Sequence, residues 1–201
     1  MKILLSIILG LSISVVAQQP EPDKSQRSPA APIIKATADL ERVKKALVGS
    51  WSVSSSIESN DLRAAGAALG TAEIYTGSEG LSVGQQYRTI GPSGEFVGTL
   101  LMWWDEKEKG FRQVWCDNLS GCRVSSGVAH WDGDVLTGSQ IIERLGRTWE
   151  IRQCFKDIQP DSFVYEEEIG PAGGELKRAM TVIYTRHVVA PHRSKAHISR
   201  R

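Results

Sequence analysis

From Trp51 to Arg186, short apolar or alternating runs are interrupted about every ten residues by glycine-bearing turns. That rhythm predicts an all-β, antiparallel up-and-down meander. Counting the runs predicts about ten strands, over 51–57, 71–76, 81–90, 95–105, 110–117, 122–131, 134–143, 147–157, 162–169 and 177–187. A meander of that size can close into a barrel, which removes the unpaired edges of an open sheet. No long helical pattern interrupts the series, which argues against a parallel α/β sheet. Asp132-Gly133 is the sharpest hairpin signal, because glycine accepts the positive φ of a tight turn.

The chain before and after this region has a different composition. Residues 1–17 combine Lys2, an apolar run from Ile3 to Val16 and small residues at Val15 and Ala17, the pattern of an export signal cleaved before Gln18. A retained anchor is the alternative, but the run is shorter than the roughly 20 residues a spanning helix needs. Residues 18–36 hold four prolines and only Ile33 and Ile34 as bulky apolar groups, and read as a disordered tether. Residues 188–201 read as a disordered basic tail through Arg193, Lys195, Arg200 and Arg201. The expected barrel domain is 37–187, and the expected location is periplasmic or extracellular. The chain has a net charge of +1 and no concentrated basic stripe, so a nucleic-acid partner is not expected; nor is a transmembrane span in the mature chain.

An export route permits disulfides. Cys116 and Cys122 flank a short turn and can bridge if they face one side, leaving Cys154 over; the alternative pairs Cys154 with one of them. Before the first strand, Leu40, Val43, Ala46 and Leu47 recur at helical spacing behind Thr37 or Asp39 as cap, and Gly49 stops the helix. Trp51, Val53 and Ser55 then share one strand face. Residues 58–70 show no strand period and read as a loop, with a lid over one mouth as the functional alternative.

Alternation groups the candidate site. Leu81, Val83, Gln85, Tyr87 and Thr89 share a face, as do Phe96, Gly98, Leu100, Met102 and Trp104. Phe111, Gln113 and Trp115 form a third set, and Trp149, Ile151, Gln153 and Phe155 a fourth. In the last strand Met180, Val182, Tyr184 and Arg186 align. A glutamine recurs within three of these faces, as Gln85, Gln113 and Gln153, and a buried amide needs a partner: another glutamine, water or a bound molecule. Aromatic walls with a few polar groups are the usual form of a small-molecule site; a packed, hydrated core is the alternative. Glu166-Glu167-Glu168, Asp105-Glu106 and Asp117 read as exposed strand ends. No nucleophile, paired-cysteine or His-x-x-x-His pattern stands out, so no catalytic or metal-binding residue is assigned and the cofactor is unknown.

Several of these segments occur together in a known family. The helix running into Leu47-Val48-Gly49-Ser50-Trp51, Met102-Trp103-Trp104-Asp105, Val114-Trp115-Cys116-Asp117 and the segment ending Trp131-Asp132-Gly133 resemble a bacterial family, domain of unknown function 1579, over about residues 39 to 186. The resemblance implies a lipocalin-like (calycin-like) barrel and no established reaction. A second resemblance, to ten-stranded fatty-acid-binding and nitrobindin-type barrels, rests on Tyr184 and Arg186, a pair that in the former would grip a carboxylate. Haem through His130 or His187 would follow from the latter, although neither histidine sits in an attachment motif. The resulting expectation is an exported barrel binding a small, largely apolar ligand through Tyr87, Gln113, Trp115, Trp149, Tyr184 and Arg186. A cavity-based isomerase or hydrolase, and a structural or partner-binding envelope protein, are the alternatives.

Overall fold

The computed structural model describes residues 35–62 and 64–187; the expected signal peptide, the tether up to residue 34 and the basic tail lie outside the described residues. The described chain opens with helix α1 (Ala38–Leu47), capped by Thr37, whose hydroxyl accepts from the Leu40 N–H at 3.2 Å. Asp39 and Glu41 lie in its first turn and Lys44 and Lys45 in its last, complementing the helix dipole. Leu40, Val43 and Leu47 are its buried stripe, worth roughly 1.5–3 kcal/mol per large aliphatic side chain removed from water.

Eleven strands follow: β1 (Gly49–Ile57), β2 (Gly66–Gly77), β3 (Ser82–Gly91), β4 (Gly94–Asp105), β5 (Gly110–Asp117), β6 (Gly121–Val124), β7 (Ala129–Asp132), β8 (Val135–Arg144), β9 (Arg147–Lys156), β10 (Ser162–Pro171) and β11 (Lys177–Arg186). They run in the order β4-β3-β2-β1-β11-β10-β9-β8-β7-β5, with β4 pairing β5 to complete the circuit. The result is a closed, ten-strand antiparallel barrel with one helix, and β6 is an extra strand on the edge of β5. Asp132-Gly133 makes the expected tight turn, with Gly133 at φ 55°.

Two expected boundaries are corrected. The single strand expected over 122–131 is two strands, because the chain changes partner between them. The Ser125 amide still bonds the Gln113 carbonyl of β5 (2.9 Å), whereas the Ser126 hydroxyl bonds the Ile141 amide (2.9 Å) and carbonyl (3.1 Å) of β8. The interruption expected over 58–70 ends earlier, since β2 begins at Gly66. What remains of it is pinned: the Glu58 amide bonds the Ala179 carbonyl (3.0 Å), and the Glu58 carboxylate accepts from Arg178 Nε (2.7 Å).

Trp51, Val53 and Ser55 share one face, as expected, and that face is the buried one. Trp51 centres the core: its indole N–H donates to the Leu47 carbonyl (2.9 Å), and Phe163 meets it edge-on at 4.7 Å. Phe163 in turn stacks on Tyr184 at 4.2 Å. Among the described residues no helix is long and apolar enough to cross a membrane.

Candidate functional site

The two ends of the barrel differ. At the end where β1 begins, the α1 stripe joins Trp51, Met102, Phe111 and Phe163 in one core. Arg42 Nη2 donates to the Gly133 carbonyl (2.7 Å) and to Asp134 (2.8 Å), and Lys44 Nζ to the Gly80 carbonyl (3.3 Å). The helix thus plugs this end and is fastened to two of its turns. Any interior site lies in the other half.

There the wall formed by β3, β4 and β5 is aromatic. Tyr87 meets Phe96 at 6.1 Å and Trp115 at 6.3 Å, and Phe96 stacks on Trp115 at 6.2 Å with planes 19° apart. Gly98 allows this, since a Cβ there would lie 2.1 Å from the Trp115 ring. The Trp115 N–H donates to Asp117 Oδ2 at 2.8 Å. Burial acts to raise the Asp117 carboxyl, but hydrogen bonds from the Ser120 hydroxyl, the Leu119 and Ser120 amides and this indole outweigh it and hold it below the ordinary carboxylate value.

Polar groups line the rest. Gln85 Nε2 donates to the Tyr184 hydroxyl at 3.0 Å. Burial first, and then the neighbouring Tyr87, push the Tyr184 hydroxyl well above its usual value, while Gln85 acts to lower it. Tyr87 is pushed up by burial against the opposing hydrogen bonds of Ser55 and Thr89. Nearer β9, Gln113 Nε2 donates to Gln153 Oε1 at 2.7 Å, so two of the recurring glutamines satisfy each other. Gln153 lies opposite Glu167 in the β9–β10 ladder, and the Tyr165 hydroxyl donates to Glu167 Oε2 at 3.3 Å. A small cavity of about 10 Å³ borders Gln113 and Gln153, room for about one water.

Of the six candidate residues, Tyr87 and Trp115 touch, and Tyr184 lies within reach of Tyr87's charge. Gln113 lies on the inward face of β5 with Trp115. Trp149 belongs to a separate apolar cluster with Ile151, Ile169 and Ala179, on which Leu62 packs. Arg186 is committed elsewhere. Its guanidinium sits 4.2 Å over the Trp51 ring, Nε donates to the Pro160 carbonyl (2.6 Å) and Nη1 to the Val48 carbonyl (3.3 Å). It fastens the plugged end, and Tyr184 takes Gln85 as its partner instead.

Glu167 is not the exposed strand end that its place among three glutamates suggests. Only 6% of it is exposed, and it faces inward between Phe163 and Tyr165 on one side and Ile169 on the other. The alternation Phe163, Tyr165, Glu167, Ile169 carried that information, masked by the flanking glutamates. The cysteines pair as Cys116–Cys122, leaving Cys154 free.

A search of curated protein sequences finds no match. Among solved structures the chain is similar to the S-type phycobiliprotein lyase CPES from Guillardia theta, at 13% identity and a TM-score of 0.52, over 76% of this chain and 94% of that one. It also matches Rv2717c from M. tuberculosis, at 13% identity and a TM-score of 0.48, over 77% of this chain and 100% of that one. A third match is EF1p2_mFAP2b bound to DFHBI, at 11% identity and a TM-score of 0.42, over 74% and 99% of the two chains. The first of these likenesses supports the barrel fold. A family model described as "Protein of unknown function (DUF1579)" matches residues 41–186, and the chain belongs to that family.

Proposed function

We propose that this chain is exported and holds a small, largely apolar molecule in the barrel half away from α1. One observation carries the reading: Gln113, Trp115, Gln153 and Tyr165 point into the barrel and yet stay partly exposed. Interior side chains with solvent access are what an opening to the barrel interior produces, and aromatic walls with few polar groups suit an apolar guest. Tyr87, Phe96 and Trp115 would exclude water from one side of the guest, with Trp149 near the mouth. The Tyr87 hydroxyl and the Gln113 amide would fix its polar end: Gln113 gives one N–H to Gln153 and has a second to offer, whereas Arg186 is held at the plugged end by Pro160 and Val48.

Native mass spectrometry of the protein purified from its exported fraction tests this. A stoichiometric small molecule released on denaturation, with a chain starting at Gln18, is the expected result. A bare mass that stays unchanged after exposure to a lipid and metabolite extract overturns the carrier reading, and a chain retaining Met1 overturns the export reading.

A buried carboxylate beside a phenol supports a second reading, proton transfer to a guest by Glu167 with Tyr165 as partner, as in an isomerase or hydrolase. On that reading Glu167→Gln keeps the bound molecule but abolishes any conversion seen when the extract is incubated with the wild-type chain; conversion that survives the substitution sinks it.

A further inference from the structure

The wall of the barrel has one break, and exposed apolar side chains gather along it. Among the described residues β6 pairs only with β5, and β8 beyond Gly138 pairs only with β9, so their facing edges form no ladder. Nine large apolar side chains stand exposed among those residues, and four of them border this break. Val124 and Ile141, 64% and 47% exposed, point outward on β6 and β8. Leu119 and Leu145, 78% and 74% exposed, sit in the β5–β6 and β8–β9 turns, both at the end away from α1.

Leu145 is costly where it stands. Arg144 pairs with Arg147, so Leu145-Gly146 is a two-residue turn, and the φ of Leu145 is 54°. Asparagine, aspartate and glycine are the residues that enter this left-handed region easily and dominate such turns. An exposed leucine there adds strain without the burial that would stabilise the fold. Strain of this kind, uncompensated by packing, points to a role beyond folding.

Basic groups frame the tips. Arg144 and Arg147 flank Leu145, and Arg123 precedes Val124. Among the described residues Arg123 and Arg144 make no ion pair, and Arg147 meets Asp61 only at 3.9 Å. Arg88, Arg152 and Arg178 in the same half are instead paired with Glu95, Glu168 and Glu58. Three acids lie near the tips. Asp117 is engaged by the Trp115 indole, the Leu119 amide and Ser120, Glu143 accepts from the Thr148 hydroxyl (2.6 Å), and Glu150 stands opposite Ile141 on β9. Apolar tips between free guanidinium groups match the boundary of a phospholipid bilayer, where acyl chains take the leucines and phosphates take the arginines through paired hydrogen bonds. A two-fold dimer through this face would set arginine-bearing tips against arginine-bearing tips, which fits less well.

We infer that the β5–β6 and β8–β9 tips dock this chain on a phospholipid surface, with Leu119 and Leu145 entering the acyl boundary and Arg123, Arg144 and Arg147 on lipid phosphates. The break in the wall then opens toward the bilayer, a route for the apolar guest proposed above. That consequence rests on the luminal reading, whereas the docking itself needs no guest.

Co-sedimentation of the protein purified from its exported fraction with vesicles of three parts phosphatidylcholine to one part phosphatidylglycerol tests the docking. The chain should pellet with the vesicles. Leu119→Ser combined with Leu145→Ser should weaken partitioning at least tenfold, and Arg123→Gln and Arg144→Gln at least threefold each. Leu69→Ser combined with Ile90→Ser, on the exposed outer face of β2 and β3, should change it less than twofold. All these side chains are exposed, so unfolding midpoints should confirm that every variant is folded. Binding that survives the tip substitutions belongs to another part of the chain, and binding that falls equally with the Leu69 and Ile90 pair is general stickiness; either result overturns the proposal. So does a chain that ignores the vesicles, including one that sediments in the ultracentrifuge as a dimer and becomes a monomer on the tip substitutions, which would assign the face to a second copy. A guest found in a chain that does not bind vesicles leaves the luminal reading standing.

Discussion

A methyl group at Gly98 would fall 2.1 Å from the Trp115 ring, so Gly98→Ala cannot be absorbed without displacing the indole. That would break the Phe96–Trp115 stack and the indole bond to Asp117. The expected cost is about 1–3 kcal/mol, the range for overpacking a close-packed site. Chemical denaturation should report it, with a change in the near-ultraviolet circular dichroism of the aromatic wall; an unchanged midpoint and spectrum would refute this account of Gly98. Tyr184 gives a second test at this scale. Its folded pKa lies above its ordinary value of 10.0, so the stability it contributes is complete below pH 10 and is lost as the pH rises above that value. Tyr184→Phe strands the Gln85 amide, costing roughly 1–3 kcal/mol at neutral pH. It should also flatten the alkaline decline of stability, with Tyr87 supplying the residue of the slope. Thermal melts of both proteins across that range check the sign, and an equally steep decline in the variant would rule it out. Arg186 shows why such roles resist reading from a sequence. Its carbonyl partners, Val48 and Pro160, lie 138 and 26 residues away, and only the closed barrel brings them to one guanidinium.

The helix is the element on which the asymmetry of the barrel depends, and most of its design was open to inspection beforehand. A cap at Thr37 or Asp39, the apolar stripe and the stop near Gly49 follow from spacing and capping chemistry alone, and the structure selects Thr37. That the stripe closes the mouth of a barrel did not, because this depends on Arg42 and Lys44 reaching turns at Gly133 and Gly80. Leu40→Ala should cost about 2–5 kcal/mol as a buried truncation, and Thr37→Ala about 1 kcal/mol as a lost cap. Equilibrium unfolding that found the two equal would contradict a packed plug. The first turns of β2 hid for a different reason. Its inward positions there are Gly66, Ala68 and Gly70, while Leu69 points outward and is 68% exposed. Small inside and large outside inverts the usual strand signal, so a pattern search sees no strand at all. The Gln113–Gln153 pair was legible as a need for partners, but its pairing across 40 residues required the closed sheet.

At the scale of the whole molecule, the barrel is unevenly closed. Strands β1, β10 and β11 pair along most of their lengths, and the β10–β11 register shifts only at Glu167/Glu168. Between β5 and β7 the circuit rests on a single pair, Phe111 with Ala129. Beyond it, β6 pairs with β5 while the later part of β8 pairs with β9, and the two short hydrogen bonds of Ser126 span the gap. A seam with so few ladder bonds should open at lower free energy than the rest, since local opening follows the number of buried contacts and backbone bonds that must be given up. Native-state hydrogen exchange is therefore expected to show amides of β7 and residues 125–128 exchanging far faster than those of β1 and β11. Ser126→Ala should accelerate the seam further without changing exchange in β1, because it removes the link to Ile141 and nothing else. A luminal guest entering through this side would slow seam exchange when bound. Uniform protection around the barrel would mean instead that side-chain packing by Phe111, Leu136 and Phe155, all deeply buried behind the seam, holds it shut, and entry would then have to be through the mouth opposite α1.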